Sequence, residues 1–220
     1  MFSLAGRTTR PAHSALPTRV GGFGGVEGLR AYLIGERVDA VIDATHPFAA
    51  QMSHHAAQAC AAERVALLSF TRPPWLRVEG DAWIEVADIA AAVAALGAPP
   101  RRVLLTQGRL QIVAFARAPQ HQYVVRAIEP PEGLDALPLH RLILARGPFE
   151  RAAEEALMRD ERIETIVSKN SGGAATYAKI AAARRLSLPV IMLARPPLPD
   201  VARTHDLERA LQWIDHRAGS

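Results

Sequence analysis

The 220-residue chain has 49% hydrophobic and 22% charged residues and a formal net charge of +4, the balance of a globular protein rather than a disordered one. No apolar run approaches the ~20 residues that a membrane helix needs, and "MFSLAGRTTRP" lacks the apolar stretch and cleavage site of a signal peptide. A single cysteine, Cys60, excludes an internal disulfide and a cysteine-based metal cluster, so the cytoplasm is the expected compartment.

The basic residues are scattered and aromatic residues make up only 5% of the chain, which argues against a nucleic-acid surface and for a small polyanionic ligand. Of the 26 basic residues only Lys169 and Lys179 are lysine, both within "SKNSGGAATYAK". An ammonium is a compact, tunable point charge and a guanidinium a fixed fork. Lys169 is therefore expected where only an ammonium serves, and Lys179, further along a helix, is expected to be solvated.

In chain order, "FSLAGRTTR" has the form of a strand end followed by basic and hydroxyl residues. A dinucleotide-binding domain ends its second strand this way when it holds the 2′-phosphate of NADP, with Arg7, Ser3 and Thr8 as the candidate partners. "GGFGGVEG" is a weak glycine fingerprint, because Glu27 replaces its last glycine and no clear strand precedes it. "VDAVIDAT" reads as a buried strand, residues 49–63 as a helix, "VALLSFT" as a strand and "RPPW" as a breaker. "WIEV" is a short strand before a helix capped by Asp88. "GAPPRR" reads as a linker, giving an N-terminal domain of residues 1–98 and a second of 99–220.

The second half alternates again. "RVLLTQ", "QYVVRAI", "RLILAR", "IETIVSK" and "PVIML" are strands. Helices are expected over "RLQIVAFAR", residues 148–160, residues 173–186 and "DLERALQWIDH". The fold class is therefore α/β with parallel sheets. Pro47 and Pro148 suit the first position of a helix, and Ser171 suits a helix cap.

Four turns at strand ends carry the polar and special residues: "DATHPFA", "TQGR", "ARGPF" and "SKNSGG". Ligands in open α/β sheets bind at such strand ends. His46 serves there as an acid or base, as a hydrogen-bond donor or as the residue that closes the turn. His54 and His55 are adjacent and no metal-ligand spacing occurs, so no metal is expected. Tyr177 and Lys179 are two residues apart and do not face one another on a helix. Trp75, Trp83 and Trp213 read as packing residues.

"SLAGRT", "VGGFGG", "DATHPFA", "PPW", "ILARGPF" and "SKNSGGAATYAK", in that order, resemble the precorrin-6A reductase family of cobalamin biosynthesis. The resemblance implies two Rossmann-like domains with a cleft between them. It also implies NADPH-dependent reduction of one double bond in a tetrapyrrole rich in acetate and propionate groups. Ser3, Gly6, Arg7, Thr8, Gly22, Phe23, Thr45, His46, Pro47 and Phe48 would line the cofactor. Thr106, Gly108, Arg109, Arg146, Gly147, Lys169, Asn170, Ser171, Gly172 and Gly173 would face the substrate. His46, Lys169, Tyr177 or water would donate the proton. Family members usually begin with a strand and a Gly-Gly-Thr-x-Glu-Ala turn, whereas this sequence starts at what corresponds to the second strand. The first βα unit is therefore expected to be missing and NADPH binding weak. The alternatives are a cofactor-free tetrapyrrole protein of the uroporphyrinogen-synthase kind and an inactive remnant.

Overall fold

The computed structural model describes residues 1–6, 15–106 and 108–218; Arg7 and Thr8 lie outside them. The elements begin with β1 (Phe2–Leu4), β2 (Thr18–Val20), α1 (Gly25–Gly35), β3 (Ala40–Asp43), α2 (Ala50–Glu63) and β4 (Ala66–Phe70). They continue with β5 (Trp83–Val86), α3 (Ile89–Ala95), β6 (Arg102–Leu105), β7 (Gln122–Ala127), β8 (His140–Leu144) and α4 (Arg151–Asp160). The last are β9 (Thr165–Lys169), α5 (Ala178–Arg185), β10 (Val190–Leu193), β11 (Arg203–Thr204) and α6 (Leu207–Ala218). Residues 109–117, expected as a helix, form a 3-10 helix. No described helix is long and apolar enough to cross a membrane.

The expected parallel α/β architecture is present, but the chain does not divide at residues 98 and 99. One unit comprises Met1–Thr71 with Pro197–Ser220, and the other Arg72–Pro196. "GAPPRR" is an ordinary helix-to-strand connection inside the second unit. "WIEV" joins that unit because β5 pairs in parallel with β10, Trp83 opposite Val190. The Trp83 side chain is buried in the same cluster as Trp75, Ile166 and Met192.

Among its described residues the first unit contains two sheets, β1–β2 and β11–β4–β3, all parallel. Its core forms where α1 meets α2, from Leu29, Leu33, Ala56, Ala59 and Cys60. The glycine run does follow a strand: β2 ends at Val20 and α1 starts at Gly25. Three residues, "TRV", are too few to show a periodicity in the sequence. Gly28 is fixed by packing, since an added Cβ would stand 1.6 Å from the Phe23 carbonyl oxygen.

The second unit is built on one parallel sheet of order β5–β10–β9–β6–β7–β8. Leu104, Leu105, Ile166, Val167, Ile191 and Met192 are buried on it, each worth about 1.5–3 kcal/mol relative to exposure. From β6 the chain steps outward to β7 and β8. It then returns to lay β9 against the other side of β6 and steps away again to β10. With right-handed crossovers, these two directions send the connections to opposite faces of the sheet. The strand order thus reverses between β6 and β9.

Candidate functional site

The carboxyl ends of β6 and β9 lie side by side at this reversal, the position where open α/β sheets hold ligands. Thr106, just past β6, donates to the Val167 carbonyl through both its amide (3.2 Å) and its hydroxyl (3.1 Å). Lys169 ends β9, and a Cβ on Gly108 would stand 3.5 Å from its Nζ. Thr106 and Gly108, just past β6, and the "SKN" turn past β9 therefore come together beside Lys169. Arg109 opens the 3-10 helix that follows.

Asn170 fixes the next stretch of backbone. Its Oδ1 accepts from the Trp75 amide (2.8 Å) and its Nδ2 donates to the Trp75 carbonyl (3.0 Å). The Trp75 indole N–H donates to the Gly173 carbonyl at 2.8 Å. "RPPW" is thereby clamped onto the "NSGG" turn. Both glycines of that turn have left-handed backbones, φ +68° at Gly172 and +74° at Gly173. A Cβ at Gly172 would stand 2.1 Å from the Pro73 carbonyl oxygen, so no side chain fits there. Trp75 is a packing residue, as expected, but its three hydrogen bonds also shape the site.

Two readings of this segment change. Ser171 is not a helix cap, because α5 starts only at Ala178; its amide and hydroxyl instead point back to the Lys169 carbonyl (2.7 and 3.5 Å). Pro148 is not a first helical residue either. The Gly147–Pro148 bond is cis, α4 begins at Arg151, and the Phe149 amide donates to the Ala175 carbonyl at 3.2 Å. That bond ties "ARGPF" to the "SKNSGG" segment, while Arg146 is exposed. The Tyr177 ring packs 5.7 Å from Trp75, and its hydroxyl accepts from Arg184 Nη2 at 2.6 Å. Arg184 is in turn held by the buried Asp81 (2.8 Å).

Lys179 is buried, not solvated, with a relative exposure of 5%. Its Nζ donates to the Thr176 carbonyl (3.0 Å) and lies 5.0 Å from the Trp75 ring centre. Burial pushes its pKa down from 10.5 to about 7; the Arg126 charge adds to the drop and Glu154 opposes it. Arg126 and Glu154 form a buried ion pair, with the Arg126 guanidinium 4.0 Å from the Phe149 ring centre. Tyr177 and Lys179 do not face each other on a helix, yet both reach the same Trp75. Only the tertiary fold could reveal that meeting.

The glycine turn and the "THPF" turn belong to the first unit. Gly24 caps α1 with a left-handed backbone (φ 80°) and supplies no side-chain acceptor to the first helical amides. A Cβ at Gly21, Gly22, Gly24 or Gly25 would meet nothing within 4 Å. Arg19 stiffens the turn by donating to the carbonyls of Gly21 (2.6 Å) and Gly22 (2.7 Å), and its guanidinium lies 4.1 Å from the Phe23 ring centre. Ser3 pairs with Arg19 in the β1–β2 register, and Gly6 follows with φ +71°.

In the "THPF" turn the Thr45 amide donates to Asp43 (3.0 Å), and the Thr45 and Ser53 hydroxyls lie 3.3 Å apart. His46 Nδ1 accepts from the Phe48 amide at 3.2 Å, which is the turn-closing role. Pro47 precedes α2 by three residues and is not its first residue. Burial, and then Asp43, push the Cys60 thiol up to about 11, which makes it a poor nucleophile.

The family described as Precorrin-6x reductase CbiJ/CobK matches residues 1–215. The chain belongs to this reductase family. A precorrin-6A reductase of Rhodobacter capsulatus is 52% identical over 221 residues, covering 99% of this chain and 87% of that protein. One of Mycobacterium tuberculosis is 46% identical, with 96% and 86% covered. A cobalt-precorrin-6A reductase of Synechocystis is 28% identical, with 96% and 83% covered. A solved structure of CobK precorrin-6A reductase superposes with a TM-score of 0.92 at 50% identity, over 98% of this chain and 86% of that one. As a member of this reductase family the chain is an oxidoreductase.

The buried Lys179 makes stability depend on pH. Its folded pKa, about 7, lies below its ordinary 10.5, so the unfolded chain binds the extra proton between those values and stability rises with pH across that window. Lys179→Met removes the penalty. The variant is expected to melt above the parent at pH 6.5, with the gap closing towards pH 10. Paired thermal melts read this out, and a gap that widens with pH contradicts it.

Proposed function

We propose that the chain reduces one double bond of precorrin-6A with NADPH, giving the dihydro product, as a cytoplasmic step in cobalamin biosynthesis. The observation that carries the reading is the approach of Gly108 to Lys169 Nζ at the strand reversal, in a chain of this reductase family.

The first unit suits the cofactor. The amides that open α1 have no side-chain cap, and the glycines before them leave room for an anion to approach the backbone. Gly22 and Phe23 would hold the pyrophosphate side, and Ser3, Gly6, Arg7 and Thr8 the adenosine 2′-phosphate. Thr45, His46, Pro47 and Phe48 would complete the site. NADPH, when bound, supplies the hydride.

The second unit binds and orients the macrocycle through Thr106, Gly108, Arg109, Arg146, Gly147 and residues 169–173. As the hydride reaches one carbon of the double bond, the neighbouring carbon needs a proton. Lys169 Nζ is the donor we favour, because it stands at the strand reversal. Tyr177 has its hydroxyl turned to Arg184 and His46 has Nδ1 closing a turn. The lysine recovers its proton from solvent, so one hydride and one proton are consumed per double bond.

The direct test is turnover of precorrin-6A by this chain with NADPH and with NADH, followed by mass and absorbance. NADPH is expected to be preferred, and Arg7→Ala to lose that discrimination, since each hydrogen bond to the phosphate is worth about 1.5–3 kcal/mol. Equal use of both cofactors by the parent contradicts the 2′-phosphate assignment. Binding of the tetrapyrrole without any NADPH binding favours the cofactor-free alternative.

Lys169→Arg is expected to impair turnover almost as severely as Lys169→Ala. A guanidinium is larger and does not release a proton near neutral pH. Full turnover by the arginine variant would reduce Lys169 to a generic positive charge.

A further inference from the structure

Arg72 and Arg195 are the first and the next-to-last residues of the second unit. Arg195 Nε donates to the Asn170 carbonyl (2.9 Å) and Nη1 to the Arg72 carbonyl (2.7 Å). Its remaining nitrogen, Nη2, is buried and has no acceptor. Among the described residues neither guanidinium meets a carboxylate within 4.0 Å. Two like charges therefore stand together without a counter-ion, in an arrangement that costs free energy.

The adjoining turn is shaped to the same end. A Cβ at Gly172 would stand 2.4 Å from Arg195 Nη2, and one at Gly173 would stand 2.8 Å from Arg72 Cδ. Glycine at both positions is what lets the guanidinium groups approach this backbone. The Gly172, Gly173 and Ala174 amides donate to no group among the described residues. Arg72 is exposed as a residue and is the member of the pair open to solvent, whereas Arg195 Nη2 is buried. Burial lowers the pKa of both arginines, and at Arg195 the Arg72 charge adds to it; both remain cationic at neutral pH.

We propose that Arg72 and Arg195, over the Gly172–Gly173 turn, form a subsite for a carboxylate, which takes one acetate or propionate arm of the tetrapyrrole. The inference rests on the substrate reading above. Forked guanidinium donors match a carboxylate in two-bond geometry, and a carboxylate supplies the absent counter-charge. The subsite adjoins Asn170 and Lys169, on the strand ends assigned to the macrocycle. For that reason the anion belongs to the substrate and not to the phosphates of the cofactor.

Arg72→Ala is the sharpest variant, because it removes a guanidinium with no described acceptor and keeps the carbonyl that Arg195 uses. Arg195→Lys keeps the charge but replaces the forked guanidinium, with its bonds to the Asn170 and Arg72 carbonyls, by a single ammonium. Melting temperatures establish that both fold. Uroporphyrin, a tetrapyrrole bearing acetate and propionate groups, serves as the probe, with binding read by quenching of tryptophan fluorescence.

Arg72→Ala is expected to weaken uroporphyrin binding about tenfold and to flatten its salt dependence. Arg195→Lys is expected to weaken it in the same direction. The NADPH Kd is expected to stay within about twofold of the parent for a group that contacts only the substrate. Unchanged uroporphyrin affinity in a folded Arg72→Ala variant overturns the proposal. A loss confined to NADPH, or shared equally with it, also overturns it and assigns the arginines to phosphate. A parent that binds uroporphyrin through Arg72 but does not reduce precorrin-6A supports the subsite while defeating the catalytic reading.

Discussion

A parallel sheet covered on both faces leaves no room for chemistry along its strands. In the second unit Leu104, Leu105, Ile166, Val167, Ile191 and Met192 are all at most 1% exposed, and their backbone groups are paired in the ladder. The candidate site therefore takes its polar groups from residues at and just past the carboxyl ends of β6 and β9. The order of the strands then decides which ends become neighbours. Because β9 returns beside β6, Lys169 and Gly108 meet; had β9 paired with β8, the same residues would stand at opposite sides of the sheet.

Around that meeting point the polar atoms do more structural work than the sequence suggests. Asn170 and Trp75 exchange two backbone-directed hydrogen bonds, and the Trp75 indole donates a third to Gly173. Tyr177 and Lys179 press on the same indole. Beneath them the Arg126–Glu154 pair is buried on both sides. Breaking such a pair by removing one partner typically costs about 3–5 kcal/mol. The turn that follows Lys169 is thus held by the Asn170–Trp75 clamp, and the buried Arg126–Glu154 pair acts on the Lys179 that packs against the same indole.

The long apolar runs were legible because burial on both faces writes itself as continuous Val, Ile and Leu. The Asp88 cap was legible too, and its Oδ1 accepts from the Ala91 amide at 2.8 Å. Short or context-dependent features were not. β2 has three residues and β11 two, below any detectable period. Pro47 and Pro148 carry the helix-start signal but stand three residues before their helices, because each turn is held by hydrogen bonds of its own. Lys179 reads as a surface lysine until the tertiary packing buries it.

The candidate site divides in the same way. That Lys169 ends a strand follows from its place after "IETIVS" and before a glycine turn. That it lies beside Gly108 depends on strand order, which no local pattern encodes. Arg72 and Arg195 are 123 residues apart, and their approach follows from the chain entering and leaving the second unit at the same edge. In the sequence each of these arginines precedes two prolines, in "RPPW" and "RPPL", but nothing local shows that the two segments meet.

The central claim is that the macrocycle lies against the carboxyl ends of β6 and β9. Amide hydrogen exchange of the chain with and without precorrin-6A tests it most directly. Slowed exchange at Thr106, Gly108 and residues 170–176, with little change at the amino ends of the same strands, is the predicted result. Protection confined to those amino ends, or to segments away from both turns, would contradict it.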